Sequence, residues 1–288
     1  MRGAAVYQYN ARMNHELTIA FIGGGNMATA LGRGLIGKRC GAHDVHVIDI
    51  NADALSAWAE QGCSTATVAD ETLARHRIWV LAVKPQFMQS AVEAVRPYLQ
   101  PDTLVVSIAA GISATTLGHW LGTPEQPWNR LVRSMPNTPA LIGAGATGLL
   151  AGPDVSERDR TQVETLFKAV GEIVWVQDDK AIDTVTALSG SGPAYVFLFL
   201  EAMINTAVEQ GMDPSQARRL ALATVTGATQ LAGLSPEDLS TLREQVTSKG
   251  GTTAAALQVF NDRDFIGTVR AAMLAAEARA AELSRDFS

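Results

Sequence analysis

The sequence predicts an α/β chain, with a doubly wound parallel sheet in its first part and only helices in its second. Three observations predict this. Short apolar runs alternate with helical patterns from Leu17 to Val176. The first run leads into a glycine-rich turn, Gly23-Gly24-Gly25, that opens a helix. After Asp178-Asp179 the strand pattern stops, and helical periodicity continues to the end. Strands alternating with helices specify a parallel sheet with its helices on both faces.

Leu17 to Ile22 reads as the first strand, and a helical pattern runs from the glycines to about Gly37. Ile22-Gly23-Gly24-Gly25-Asn26-Met27-Ala28 has the spacing G-x-G-x-x-A, the Rossmann-type dinucleotide fingerprint with Ala in its third place. Gly23 makes the tight turn, Gly25 lets a pyrophosphate approach the backbone, and Ala28 keeps helix and strand close. Val45 to Ile48 is the second strand, ending at Asp49, where an acidic residue holds a dinucleotide's adenosine ribose. A helix over 52–61 follows. Further strands are Ile78 to Val83, Leu104 to Ala109 and Arg130 to Ser134. They lead into Lys84-Pro85-Gln86, Ala110-Gly111 and Met135-Pro136-Asn137-Thr138-Pro139, loops of the kind that carry ligands at the strand C-termini. Lys84 suits the cofactor's ribose or phosphates; Asn137 suits the nicotinamide amide or an Asx turn in its own loop. Thr147 to Leu150 and Ile173 to Val176 read as the last strands, with a helix over 156–170 between them.

The helical part begins near 179. One helix runs from Ala194 to Gln210, with Ser189 and Ser191 as caps and Tyr195 and Phe197 as core. The next starts at Asp213-Pro214, an N-cap followed by Pro at the first helical position, and stops before Gly233. Another starts at Ser235-Pro236-Glu237, and the last spans about Asp264 to Leu283. Between these lies Val246-Thr247-Ser248-Lys249-Gly250-Gly251-Thr252-Thr253. Its Gly-Gly turn before a helix, with Thr252 or Thr253 as N-cap, is either a capped helix–helix loop or an anion site fit for a carboxylate. The expected domains are an extension over 1–15, poorly ordered, a dinucleotide-binding domain over 16–178 and a helical domain over 179–288.

Of the 288 residues 47% are apolar and 18% charged, with a net charge of −6 and no basic block. That argues for an ordinary globular protein and against a nucleic-acid partner. Leu104 to Ile112, the longest apolar run, is too short to span a bilayer, and no signal peptide is expected. Cys40 and Cys63 are the only cysteines, expected buried, and no metal motif is present. A cytoplasmic location follows as the default.

Taken together, the glycine motif at 22–28, Ala82-Val83-Lys84-Pro85-Gln86, Met135-Pro136-Asn137-Thr138-Pro139, Ser189-Gly190-Ser191-Gly192-Pro193-Ala194-Tyr195 and Thr247-Ser248-Lys249-Gly250-Gly251-Thr252-Thr253 come in an order that closely resembles the pyrroline-5-carboxylate reductase family. The likeness covers about residues 17–285. It implies reduction of 1-pyrroline-5-carboxylate to L-proline with NADPH or NADH. It also implies a helical domain that interlocks two chains, giving a homodimer or a larger homo-oligomer such as a decamer. By the same resemblance Thr253 bonds the ring nitrogen and is the catalytic candidate. Ser248, with Gly250, Gly251 and Thr252, holds the substrate carboxylate. The dinucleotide falls to Ile22, Gly23, Gly24, Gly25, Asn26 and Met27, to Ala82, Val83, Lys84 and Pro85, and to Ile108, Ala109 and Ala110. Members that favour NADPH often carry Ser, Asn or Arg just after the second strand. This chain has Asp49-Ile50-Asn51, so Asp49 and Asn51 join the cofactor candidates and the preference stays open.

The residue types fit that chemistry independently. The helical domain has no His, and its only lysines are Lys180 and Lys249. Hydride reduction of a ketone makes an alkoxide that needs a proton donor. A protonated cyclic imine brings its own proton, so hydroxyl and amide donors suffice. The alternatives are a related imine or β-hydroxyacid dehydrogenase, which would need a catalytic Lys on a helix, and a non-catalytic dinucleotide sensor.

Overall fold

A computed structural model describes residues 17–287, so the expectation for 1–15 lies outside the described residues. The chain divides into two compact units, 17–185 with 282–287, and 186–281.

The first unit runs β1 (Ile19–Ile22), α1 (Asn26–Leu35), β2 (Val45–Ile48), α2 (Ala52–Glu60), β3 (Ser64–Ala66), β4 (Ile78–Leu81), α3 (Met88–Val95), β5 (Leu104–Ser107), α4 (Ala114–Leu121), β6 (Leu131–Met135), β7 (Gly145–Ala151), α5 (Glu157–Lys168), β8 (Gly171–Val176) and α6 (Asp179–Val185). The eight strands form one sheet in the order β3-β2-β1-β4-β5-β6-β7-β8. Every residue of β1, β2, β4 and β5 is buried. Alternate side chains supply two cores. Ile19, Phe21, Val47, Val80 and Val106 pack with Leu31 and Phe167 on one face; Ala20, Ile22, Trp79, Leu81 and Val105 pack with Met88 and Val92 on the other. A sheet covered on both faces needs such continuous apolar strands.

One pairing departs from the expected parallel sheet: β6 and β7 are antiparallel. Residues 136–144 hold only a 3-10 turn, Thr138–Ile142, too short for the crossover that a parallel return requires. β8 is parallel to β7 again, because α5 supplies a crossover. Buried charge is paired here. Fully buried Asp159 accepts from Arg130 at 2.8 Å and Arg77 at 3.1 Å, and caps α5 through Ser156. Burial alone would raise its carboxyl, yet these bonds hold it below the ordinary value. Arg133, 2% exposed, joins β6 to α6 through Asp179 and, at 3.5 Å, Asp183. Cys40 and Cys63 are buried free thiols, and burial, with Asp44 adding to it, pushes Cys40 up to about 11.

The second unit opens on a π-helical turn, Thr186–Gly190, followed by α7 (Gly192–Glu209), α8 (Pro214–Leu234), α9 (Leu239–Gln245), α10 (Thr252–Asp262) and α11 (Phe265–Asp286), whose last turn belongs to the first unit. Asp213 caps α8 as expected, accepting from Ser215 and Gln216 N–H. Four other expectations fail. α8 continues through Gly233 to Leu234, and α9 starts behind Asp238 rather than Ser235. Ser189 lies in the π turn and does not cap α7, whereas Ser191 is its N-cap residue as expected, with an αR backbone and no side-chain cap bond. Phe197 is 63% exposed, so it is not core within one chain. α6, the π turn and α7 form one stretch, Asp179–Glu209, that is long and apolar enough to cross a membrane by length and composition. It carries Asp179, Lys180, Asp183, Glu201 and Glu209, and Asp179 and Asp183 are bound to Arg133.

Candidate active site

In the first unit the carboxyl ends of β2, β1, β4 and β5 lie side by side, and each delivers a stretch that the sequence singled out. The glycine turn leaves β1. Gly23 has φ +102°, and a Cβ there would sit 2.8 Å from the Ala82 carbonyl, so only glycine fits. Gly25 differs: a Cβ there would meet no protein atom within 4 Å. Packing therefore does not require this glycine; keeping the space before α1 open does. Gly25 is also the N-cap of α1 and offers no side-chain cap, so the first-turn N–H groups of Asn26 and Met27 are left for a ligand. These features fit a dinucleotide pyrophosphate.

Asp49 Oδ2 accepts the Gly24 N–H at 2.7 Å and its Oδ1 accepts the Asn51 N–H at 2.9 Å. Asn51 in turn caps α2 by accepting from Asp53 N. The acid at the end of β2 is thus tied to the glycine turn from β1. Ala82, Val83, Lys84 and Pro85 follow β4, with Lys84 exposed. Ile108, Ala109 and Ala110 follow β5, where Ser107 Oγ accepts from Ala109 N and Ser134 Oγ donates to the Ser107 carbonyl. Asn137 lies in the loop after β6, the strand next to β5 and parallel to it. It is 9% exposed, and its Oδ1 accepts from Ala146 N at 2.9 Å, fastening its own loop to β7. Trp58 has a role that sequence reasoning missed. It is buried on α2 and its Nε1–H donates to the Gly24 carbonyl at 3.2 Å, bracing the glycine turn from below. Its only signal in the sequence is an apolar position on an amphipathic helix.

The stretch 248–253 lies in the second unit and forms a tight turn followed by α10. Gly251 N–H donates to the Ser248 carbonyl at 3.0 Å and Gly250 has φ +74°, the pattern of a turn needing glycine at its third position. A Cβ on Gly251 would lie 2.6 Å from Ser248 Oγ, so the serine hydroxyl occupies that space. The N-cap of α10 is Gly251, with no side-chain cap, rather than Thr252 or Thr253. The threonines are therefore the first two helical residues, and the first-turn N–H groups stay uncapped. Ser248, Gly250, Gly251, Thr252 and Thr253 are brought together in this turn and the start of α10; Lys249 is exposed, as are Ser248, Gly250 and Thr252. Among the described residues no group of three His, Cys, Asp or Glu is placed to hold a metal.

Two family models match the chain: "Pyrroline-5-carboxylate reductase dimerisation" over residues 179–283 and "NADP oxidoreductase coenzyme F420-dependent" over 18–111. The pyrroline-5-carboxylate reductase of Pseudomonas aeruginosa is 42% identical over 270 residues, 93% of this chain and 97% of that one. A solved pyrroline-5-carboxylate reductase from Coxiella burnetii is similar at TM-score 0.86 and 35% identity, covering 93% of this chain and 98% of its own. The Plasmodium falciparum pyrroline carboxylate reductase, solved with NADP bound, is similar at TM-score 0.81 and 29% identity, covering 94% and 99%.

Proposed function

This chain belongs to the pyrroline-5-carboxylate reductase family, an NAD(P)H-dependent oxidoreductase that reduces 1-pyrroline-5-carboxylate to L-proline, and we propose that the turn 248–253 is where it holds that substrate. The observation that carries this is the uncapped start of α10 between two hydroxyls, Ser248 and Thr253. A carboxylate suits uncapped helix N–H groups, with Ser248 Oγ–H as a further donor. Thr253 Oγ bonds the ring nitrogen beside that carboxylate. A neutral hydroxyl serves better than a cation, because a cation would repel the protonated imine. Lys249 accordingly faces solvent.

The dinucleotide belongs to the first unit, on Ile22 to Met27, Asp49, Asn51, Ala82 to Pro85 and Ile108 to Ala110. When bound, NAD(P)H supplies a hydride to the ring carbon. The C=N π pair then collapses onto the nitrogen, which already carries its proton, and neutral proline amine results. The site moves no proton; Thr253 fixes the nitrogen and Ser248 the carboxylate while the charge on nitrogen is lost. Asn137, in the loop after β6, accepts Ala146 N–H with its carboxamide oxygen, and its amide donors suit the nicotinamide amide.

The chain forms an oligomer. We propose a homodimer as its unit, extending to a decamer, in the cytoplasm, where two free thiols are at home. The test is turnover of 1-pyrroline-5-carboxylate with NAD(P)H, followed as proline, in the wild type and Thr253→Ala. Losing a hydrogen bond to a charged group costs about 1.5–3 kcal/mol, so kcat should fall about 10- to 100-fold with cofactor affinity kept. Wild-type kcat/KM in the variant would move the chemistry to another loop.

A further inference from the structure

The candidate cofactor row contains one acid in a fixed position, and the segment around it, 41–74, has no Lys or Arg to offset it. We propose that Asp49 makes this enzyme prefer NADH to NADPH. The inference rests on the reading of the first unit as the dinucleotide site.

Asp49 stands directly after β2, at the place where a dinucleotide's adenosine ribose is held in such sheets. Its carboxylate is not free to swing away. Oδ2 is bonded to Gly24 N–H at 2.7 Å and Oδ1 to Asn51 N–H at 2.9 Å. Each oxygen keeps an accepting lone pair after these bonds. The pair suits the two vicinal hydroxyls of an unphosphorylated ribose, which are donors. A 2′-phosphate is an acceptor and an anion, and it finds the reverse of what it needs.

The neighbours reinforce the sign. From Gly41 to Ala74, the segment that holds β2, α2 and β3, there is no Lys or Arg. The first turn of α2 adds a second acid, Asp53, and Asn51 spends its side-chain oxygen on the backbone as a cap. Lys84 follows β4, which lies on the other side of β1 from β2, two strand spacings or roughly 10 Å away. Two unit charges about 5 Å apart change binding about fourfold even at the dielectric of water, and a dianion squares that factor. The preference should therefore be about tenfold or more at moderate salt.

The test measures dissociation constants of NADH and NADPH by quenching of tryptophan fluorescence in the purified oligomer. Two variants accompany the wild type. Asp49→Ser removes the charge. Ile50→Arg adds a cation at a side chain that is 92% exposed, leaving the Asp49 bonds in place if the first variant folds poorly. Expected are a wild type that binds NADH about tenfold or more tighter, an Asp49→Ser protein in which the gap closes, and an Ile50→Arg protein that gains NADPH affinity at least severalfold. Equal or tighter NADPH binding by the wild type would overturn the preference while leaving the reductase reading standing. An NADH preference that survives in both variants would overturn the assignment to Asp49. Failure of both cofactors to bind the wild type would instead overturn the dinucleotide site itself.

Discussion

The two units treat apolar side chains in opposite ways. In the first, strand after strand is buried, and large side chains such as Trp79, Phe21 and Phe167 are fully enclosed. In the second, Leu200 is the one large apolar side chain that is buried, while Val196, Phe197, Leu198, Phe199, Leu231 and Leu234 are exposed in the single chain. Both units read as ordinary amphipathic sequence. The difference teaches that an apolar stripe specifies burial without saying against what. The first unit satisfies its stripes internally. The second leaves them exposed in one chain, in keeping with the dimerisation model that covers 179–283.

The strongest way to break this comparison is to charge the exposed face of α7. Phe197→Asp with Leu198→Asp should split the oligomer at micromolar concentration and reduce activity more than about 100-fold. Each apolar side chain buried at an interface contributes about 1.5–3 kcal/mol, and an unpaired charge buried there costs more. Light scattering reads the outcome; an intact oligomer with normal kcat would show that this face is simply solvent-exposed.

Next in size is a cavity in the first unit. Phe167→Ala, at a fully buried position, should cost about 3–5 kcal/mol. The sharpening lies in how the two losses depend on concentration. Stability lost at Phe167 should be the same at every protein concentration, whereas the melting temperature of the wild type should rise with concentration, because assembly stabilises by mass action. A concentration-independent melting temperature for the wild type would remove the distinction drawn between the units.

The same distinction explains what was legible beforehand. β1 and β4 are readable as continuous apolar runs, and β2 and β5 as runs broken by one polar residue each, His46 and Ser107, because strands buried on both faces are mostly apolar. β3, the three residues Ser64–Ala66 at the sheet edge, has no such run and left no signal. The direction of β7 was not readable from its residues; it follows from the length of the connection before it. In the helical unit the helices themselves are legible from periodicity, but the pattern that predicts Phe197 as core does not say whether an apolar stripe packs within its own chain. Cap residues failed at Thr252 and Ser235 for a local reason, since the backbone at Gly251 and Asp238 decides where each helix starts. The motifs that make up the candidate site were legible as local sequence patterns. Their support was not: Trp58 under Gly24, and Asn137 turned toward Ala146, depend on which strands lie side by side.

A smaller effect should appear in acid and be confined to the first unit. His46 and His76 are buried and stacked with ring centroids 5.6 Å apart. Burial lowers both below the ordinary histidine value, and for His46 the neighbouring His76 lowers it further. Each is therefore neutral in the fold and more readily protonated once unfolded. Between the folded and unfolded values the unfolded chain binds more protons, so stability present above about pH 6.5 is lost as the pH falls below it. The double substitution His46→Gln with His76→Gln should flatten that slope between pH 7.5 and 5.5 in urea melts. An unchanged slope would place the acid sensitivity elsewhere.

The smallest effect is expected at Ser248, and it separates the kinds of site that the two units build. The candidate cofactor row is held by packing and long-range bonds, such as Gly23 against Ala82 and Gly24 tied to Asp49 and Trp58. The turn at 248–251 is held by one local backbone bond and the left-handed Gly250, and its hydroxyls are close to solvent. Removing an exposed hydroxyl there should leave the fold unchanged. A carboxylate contact is made equally in the ground state and the transition state, so its loss raises KM and leaves kcat alone. Ser248→Ala should accordingly raise the KM for 1-pyrroline-5-carboxylate about 3- to 10-fold, the loss of about 1 kcal/mol of hydrogen bonding. Lys249→Ala, one position on and also exposed, should change neither constant by more than about twofold. If Ser248→Ala lowered kcat with KM intact, the serine would act on the reacting nitrogen, and the roles given to Ser248 and Thr253 would have to be exchanged.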